Sequence, residues 1–211
     1  MTRVKICGLT TGKDVKLAAG YHAWACGFVL TESPRRVSVA QAAELTPLCG
    51  DSLAVAVVTT EEPEWIAGAV AAGGFGAVQL SAGADGPGVA AVRAAALGRG
   101  LRPLVIAAAD TEDADAADLV LLDARTPEAY GGTGRRLDWR ALAAAKLPRQ
   151  RLVLAGGLLP SNVDGAIKLL RPRAVDVSSG IERTPGIKDP RLMRAFFGVV
   201  AGADISGGAV T

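Results

Sequence analysis

Two side chains in this sequence stand where proton chemistry needs them. Cys7 closes the run Val4-Lys5-Ile6 and is followed by Gly8, so at strand spacing its sulfur shares one side of the pleat with Lys5. Asp123 ends the apolar run Leu119-Val120-Leu121-Leu122, where a carboxylate has no packing role and would otherwise only cap or anchor a loop. A thiol and a carboxyl on opposite sides of one mouth suit a proton shift, one as base and the other as acid, without metal or cofactor. The bland reading of Cys7 is a buried strand cysteine, which is how Cys26 reads. Two glycine-bearing turns, Gly156-Gly157-Leu158 and Ser178-Ser179-Gly180-Ile181, follow later apolar runs, and backbone N–H groups at such turns commonly hold a phosphate dianion. Ser33-Pro34-Arg35-Arg36, Gln79, Ser81 and Asp176 complete the polar residues at run ends. On these residues alone the chain is a cofactor-free isomerase or lyase, or else a binding protein, for a small phosphorylated molecule.

Eight strand-like runs must position these groups. They are Val4-Cys7, Trp24-Val29, Leu53-Val58, Ala77-Leu80, Leu104-Ala107, Leu119-Asp123, Leu152-Ala155 and Ala174-Val177. Between and after them lie the helical stretches Asp14-Gly20, Val39-Leu48, Pro63-Ala72, Gly88-Leu97, Asp113-Ala117, Trp139-Lys146, Asn162-Leu170 and Pro190-Val200. Ser38 with Gln41 three residues on, and Pro63 with Glu64, are helix-start signals. Most of the strands are apolar on both faces, as inward residues fill a barrel and outward residues meet helices. Eight such units predict an α/β fold, a single compact (β/α)8 TIM barrel over residues 1–205 with a tail at 206–211, ahead of an open doubly wound sheet. In a barrel, all the groups singled out above fall at the carboxyl ends of strands, where such folds keep their active sites.

Composition narrows the classes. Of 211 residues, 50% are apolar and 21% charged, enough for one sizeable core. Lys plus Arg number 23 against 21 Asp plus Glu, spread along the chain, which gives no basic stripe for a nucleic acid. The apolar stretch Ile66-Leu80 is broken by four glycines and is too short to cross a bilayer. Met1-Thr2-Arg3 runs straight into a strand without a signal-peptide core, so a cytoplasmic protein is expected. Cys7, Cys26 and Cys49 form no ligand-spaced cluster with His22, and neither a disulfide framework nor a metal site is predicted.

Seven collinear blocks carry a resemblance to a known family. Val4-Lys5-Ile6-Cys7-Gly8-Leu9-Thr10, Gly27-Phe28-Val29-Leu30 leading to Ser33-Pro34-Arg35, Val78-Gln79-Leu80, and Leu121-Leu122-Asp123 followed by Gly131-Gly132-Thr133-Gly134 are four of them. Leu154-Ala155-Gly156-Gly157-Leu158 with Pro160 and Asn162-Val163, Val175-Asp176-Val177-Ser178-Ser179-Gly180-Ile181-Glu182, and Pro185-Gly186-Ile187-Lys188-Asp189 are the others. Together they resemble the signature blocks of phosphoribosylanthranilate isomerase, an enzyme of tryptophan biosynthesis. The resemblance implies an Amadori rearrangement of N-(5-phosphoribosyl)anthranilate by acid/base catalysis. It matches Asp123 to the acid that opens the ribose ring, Cys7 to the base that takes the C2 proton, and Arg35 to the clamp on the anthranilate carboxylate. It further places Asp176 near the anthranilate amine and Gly156, Gly157, Ser179 and Gly180 in phosphate loops, with Lys5, Gln79 and Ser81 on the substrate side. Since Arg36 follows directly, the clamp assignment admits a one-residue slip. The family's Val-Gln-Leu-His-Gly is Val78-Gln79-Leu80-Ser81-Ala82 here, and Ser81 can hydrogen-bond but cannot carry charge. Alternatives are a histidine-pathway or dual-substrate phosphoribosyl isomerase, which would have aspartates at strands one and five, and a non-catalytic phosphate-binding barrel. At those strands this chain has Cys7 and the run Ala107-Ala108-Ala109.

Overall fold

The strand and helix alternation closes on itself. The computed structural model describes residues 1–123 and 148–207. Its strands β1 (Arg3–Ile6), β2 (Ala25–Val29), β3 (Leu53–Val58), β4 (Ala77–Leu80), β5 (Leu104–Ala108), β6 (Leu119–Asp123), β7 (Leu152–Ala155) and β8 (Ala174–Val177) form a closed barrel in sequence order. Every neighbouring pair is parallel, and β8 returns to pair with β1. Around it pack α1 (Gly12–Gly20), α2 (Val39–Leu45), α3 (Pro63–Gly73), α4 (Val89–Gly98), α5 (Val163–Leu170) and α6 (Pro190–Gly207). After β8 a short antiparallel ribbon, β9 (Glu182–Thr184) with β10 (Ile187–Lys188), precedes α6.

Local chemistry explains these bounds. The Ser38 hydroxyl accepts from Gln41 N while the Gln41 side chain accepts from Ser38 N, the reciprocal cap expected at the start of α2. That helix stops at Leu45 rather than Leu48, and Thr46–Cys49 is a 3-10 turn, because Pro47 has no N–H to continue the ladder. The expected helix Asp113-Ala117 is also corrected, to a 3-10 turn over Ala114–Ala116. Asp113 sits in the left-handed region, and its carboxylate accepts from Val89 N and Ala90 N at 2.7 and 2.9 Å, serving the first turn of α4 instead of starting a helix. The last helix runs beyond Val200 to Gly207 and takes in the first two residues of the expected tail. The expected helix Trp139-Lys146 and the Gly131-Gly134 segment lie outside the described residues.

Period-two alternation divides the strands between two cores. One apolar cluster, including Ala25, Val55, Ala77, Ile106, Leu121, Val153 and Ala174, fills the barrel lumen. A larger one, including Ile6, Phe28, Val58, Leu80, Leu122, Leu154 and Val175, joins the strands to the helices. The lumen residues are mostly small or β-branched, so the layers leave room for polar side chains at inward positions.

Candidate active site

Inward positions of β1 and β8 carry opposite charges. Lys5 and Asp176 are register partners across this pair, and Lys5 Nζ donates to Asp176 Oδ2 at 2.9 Å with both side chains buried. A lone ammonium there would cost several kcal/mol by order of magnitude, which the carboxylate offsets. Burial pushes the Asp176 carboxyl up despite Lys5, whereas Lys5, desolvated but flanked by Asp176 and Cys7, keeps its proton above the ordinary lysine range. Two residues further along, Cys7 has left the strand, yet its N–H still donates to Val177 O at 2.9 Å. Gly27 on β2 makes room for this group: a Cβ there would lie 3.0 Å from Lys5 Nζ and 3.1 Å from Cys7 Sγ. Burial pushes the Cys7 thiol above its ordinary value, with the Lys5 and Lys188 ammonium groups opposing the shift.

At the carboxyl end of the strands a cavity of about 300 Å³ opens, at the small end of ligand-site volumes. It brings together Cys7, Gln79, Ser81, Asp123, Gly156, Gly157, Asp176 and Gly180, all expected from the sequence. Gln79 Nε2 donates to Ser81 Oγ at 3.0 Å, so this serine orients the amide. Three buried polar atoms of lining residues, Gln79 Oε1, Asp176 Oδ1 and Ser178 Oγ, have no partner among the described residues, the pattern expected where a ligand supplies one. The turns after β7 and β8 interlock, because a Cβ on Gly180 would collide with the Leu158 carbonyl. Asn162 fastens the first of these turns, accepting from Leu159 N at 2.8 Å and donating to Gly157 O at 3.0 Å.

Three expected residues stand elsewhere. Lys5, placed on the substrate side from the sequence, is fully buried beneath the cavity and acts on Asp176 and Cys7. Ser179 lies in the turn after β8, where the cavity wall is formed by its neighbours Ser178 and Gly180. Arg35 lies over Gly8 but is not among the lining residues. Its Nε donates to Glu182 Oε1 and Oε2 at 2.9 and 3.1 Å, and its Nη2 to Oε2 at 2.6 Å. The Arg36 side chain, by contrast, is more than half exposed, and its guanidinium reaches the exposed Glu32 at 3.5 Å.

Sequence reasoning gave no role to Asp110, Glu182 or Lys188, and took Ser178 only as part of the glycine-bearing turn after β8. Asp110 lines the cavity because β5 runs on to Ala108, one residue past the expected end, which moves the mouth along the alanine run to the aspartate. Glu182 and Lys188 flank the Pro185-Gly186 turn, a hairpin signal that places two opposite charges on facing strands. Glu182 bonds Lys188 Nζ at 2.8 Å as well as Arg35. Burial pushes its carboxyl up, but these hydrogen bonds outweigh it and hold Glu182 below the usual carboxylate range. Among the described residues no group of three His, Cys, Asp or Glu is placed to hold a metal ion, and no helix is long and apolar enough to cross a membrane.

What the barrel and its mouth define is a protein of the (β/α)8 class, with a polar cavity at the carboxyl ends of the strands lined by ionisable groups from several of them. The sequence profile of N-(5'-phosphoribosyl)anthranilate (PRA) isomerase matches residues 4–199. The chain is 41% identical over 208 residues to the N-(5'-phosphoribosyl)anthranilate isomerase of Rubrobacter xylanophilus, covering 93% of this chain and 97% of that protein. It is similar to the crystal structure of the Thermotoga maritima phosphoribosyl anthranilate isomerase, with a TM-score of 0.79 and 38% identity over 96% of this chain and 100% of that one. A phosphoribosyl anthranilate isomerase in complex with reduced 1-(o-carboxyphenylamino)-1-deoxyribulose 5-phosphate gives a TM-score of 0.76 and 34% identity, covering 96% of this chain and 100% of that one. This chain belongs to the N-(5'-phosphoribosyl)anthranilate isomerase family.

Proposed function

We propose that the chain converts N-(5'-phosphoribosyl)anthranilate to 1-(2-carboxyphenylamino)-1-deoxyribulose 5-phosphate, with Asp123 as acid and Cys7 as base. Asp123 gives a proton to the ribose ring oxygen as the C1–O bond breaks, leaving a Schiff base between C1 and the anthranilate nitrogen. Cys7 removes the proton from C2, which the cationic imine acidifies, and the electron pair of that C–H bond forms an enolamine. Protonation at C1, with loss of the proton from the C2 hydroxyl, then yields the ketone. Asp176 Oδ1, unpartnered among the described residues and beside both groups, is suited to accept from the anthranilate N–H. The observation that carries this reading is the convergence of Cys7, Asp123 and Asp176 on one cavity whose far wall is the interlocked glycine turns. A single-turnover assay with phosphoribosylanthranilate tests it. Conversion that survives EDTA is expected, and a wild-type protein that leaves the substrate unchanged overturns the reading.

The phosphate is assigned to the turns carrying Gly156, Gly157, Ser179 and Gly180, with the buried Ser178 hydroxyl, unpartnered among the described residues, beside them. Inorganic phosphate is therefore expected to raise the apparent KM and leave kcat unchanged, since a remote dianion supplies binding energy used at the reacting end. Phosphate bound elsewhere on the barrel in a soaked crystal, with these turns empty, would exclude the assignment.

Arg35 is assigned to the anthranilate carboxylate. Glu182 engages its Nε and Nη2, which orients the guanidinium and leaves Nη1 outside these bonds. Arg35→Ala is expected to raise KM about tenfold or more with a smaller loss in kcat, because such a clamp grips ground and transition states nearly alike. Arg36→Ala should change neither, and the reverse pattern would shift the assignment by one residue.

A further inference from the structure

Lys188 is a buried cation that the reaction above does not use. Its side chain is fully buried on β10, and its Nζ donates to Cys7 O at 2.6 Å, to Glu182 Oε1 at 2.8 Å and to Ser178 O at 3.3 Å. Its own N–H donates to Asp14 Oδ2 at 3.0 Å, and Thr10 Oγ1 donates to Gly186 O at 2.6 Å, so the ribbon is laced to the segment that leaves β1. Of these bonds, the one from Lys188 Nζ reaches the backbone of Cys7 itself.

We propose that Lys188 is a positioning residue for the Cys7 base: its buried ammonium ties the Cys7 and Ser178 carbonyls together and, through Glu182, to the Arg35 guanidinium. A proposal of this kind rests on Cys7 being the base and Arg35 the carboxylate clamp. Charge-assisted hydrogen bonds are short and directional, so the Cys7 peptide plane, and with it the direction of the Cβ–Sγ bond, is set by the ammonium. Gly8 follows at φ +70°, and the carbonyl of a peptide entering such a turn needs a donor from outside the strand ladder. The same cation fixes the start of the turn after β8. Base, carboxylate clamp and one phosphate turn therefore share one buried anchor. Four charged groups surround the Cys7 thiol: Lys5, Asp176, Lys188 and Arg35. Lys188 is the cation among them that also holds the Cys7 backbone.

The test compares Lys188→Met and Glu182→Gln with wild type in steady-state kinetics and in iodoacetamide labelling of Cys7 across pH. Cys26 and Cys49 are 0% and 1% exposed, so labelling of the folded protein reports Cys7. Lys188→Met is expected to lower kcat by about 100-fold, the scale of a misplaced reacting group, and to raise KM as well, because Arg35 and the turn after β8 lose the same anchor. Its labelling midpoint moves to higher pH, because a cation has left the thiol. Glu182→Gln keeps Lys188 and the side-chain volume but loosens Arg35, so it raises KM with kcat nearly unchanged. A merely structural role would lower the melting temperature of both variants and produce neither the split in kcat between them nor the labelling shift. If Lys188→Met does not fold, Glu182→Gln decides: a fall in kcat without a rise in KM overturns the proposal. It is also overturned if Lys188→Met turns over at the wild-type rate. Absence of turnover by wild type itself would instead remove the proposed reaction.

Discussion

Cys7→Ser is expected to lower kcat by roughly 10²–10⁴, the usual contribution of a positioned general base. Serine has nearly the same shape and fits beside Gly27, so the loss reports proton affinity rather than packing. The direction of the thiol's shift adds a pH signature. Burial raises Cys7 above the ordinary thiol value against the pull of Lys5 and Lys188, so the resting protein carries the neutral thiol at pH 7. A base works in its deprotonated form. The rate of the proton-abstraction step should therefore climb as pH rises from neutrality toward the thiol's raised value, and the serine variant should lose that climb. Iodoacetamide labelling should follow the same curve, and a substrate or product analogue should slow it. Wild-type kcat in Cys7→Ser would make the cysteine a wall residue and leave Asp176, on the same cavity, as the next candidate base.

Asp123→Asn is expected to cost a similar factor, roughly 10²–10⁴ in kcat, for a different reason. The amide keeps the volume and can still hydrogen-bond the ring oxygen, but it has no acidic proton to transfer when the C1–O bond breaks. Asp123 ends β6 in register with Ala155 on β7, across the cavity from the β1 side, so the variant should leave Cys7 untouched. Labelling of Cys7 by iodoacetamide should accordingly be unchanged in Asp123→Asn. Affinity for a reduced product analogue, whose ring is already open, should also stay within about threefold, since the lost interaction belongs to the transition state. A variant that loses analogue affinity in proportion to kcat would mean that Asp123 binds substrate instead of protonating it.

Arg35 and Lys5 show how a residue's type can be read correctly while its partner stays hidden. A planar guanidinium suited to a carboxylate was legible at Arg35, but the carboxylate it meets in the folded chain is Glu182, 147 residues away. Lys5 was legible as sharing a side with Cys7, yet its ion-pair partner is 171 residues away. Spacing within a strand determines which side chains share a face. It carries no information about which side chain of a distant strand faces them.

By itself the sequence determined the local periods and the chain order of the elements. Runs of β-branched and leucine residues marked all eight strands to within one residue at either end, and Ser38 with Gln41 and Pro63 marked helix starts. The sequence also determined that Cys7, Gln79, Asp123 and Asp176 stand at or near strand ends, because strand length and period two are properties of neighbouring residues. Tertiary structure alone decided the rest. The closing of β8 onto β1 brings Lys5 to Asp176, and the ribbon of Glu182 and Lys188 folds back over the Cys7 carbonyl. It also decided the directions of the proton equilibria. The Cys7 and Asp176 acids are held back by desolvation, and Glu182 is pulled down by two cations that outweigh its burial. Desolvation and Coulomb terms depend on distances through space between residues remote in sequence, so they come into existence only when the barrel closes.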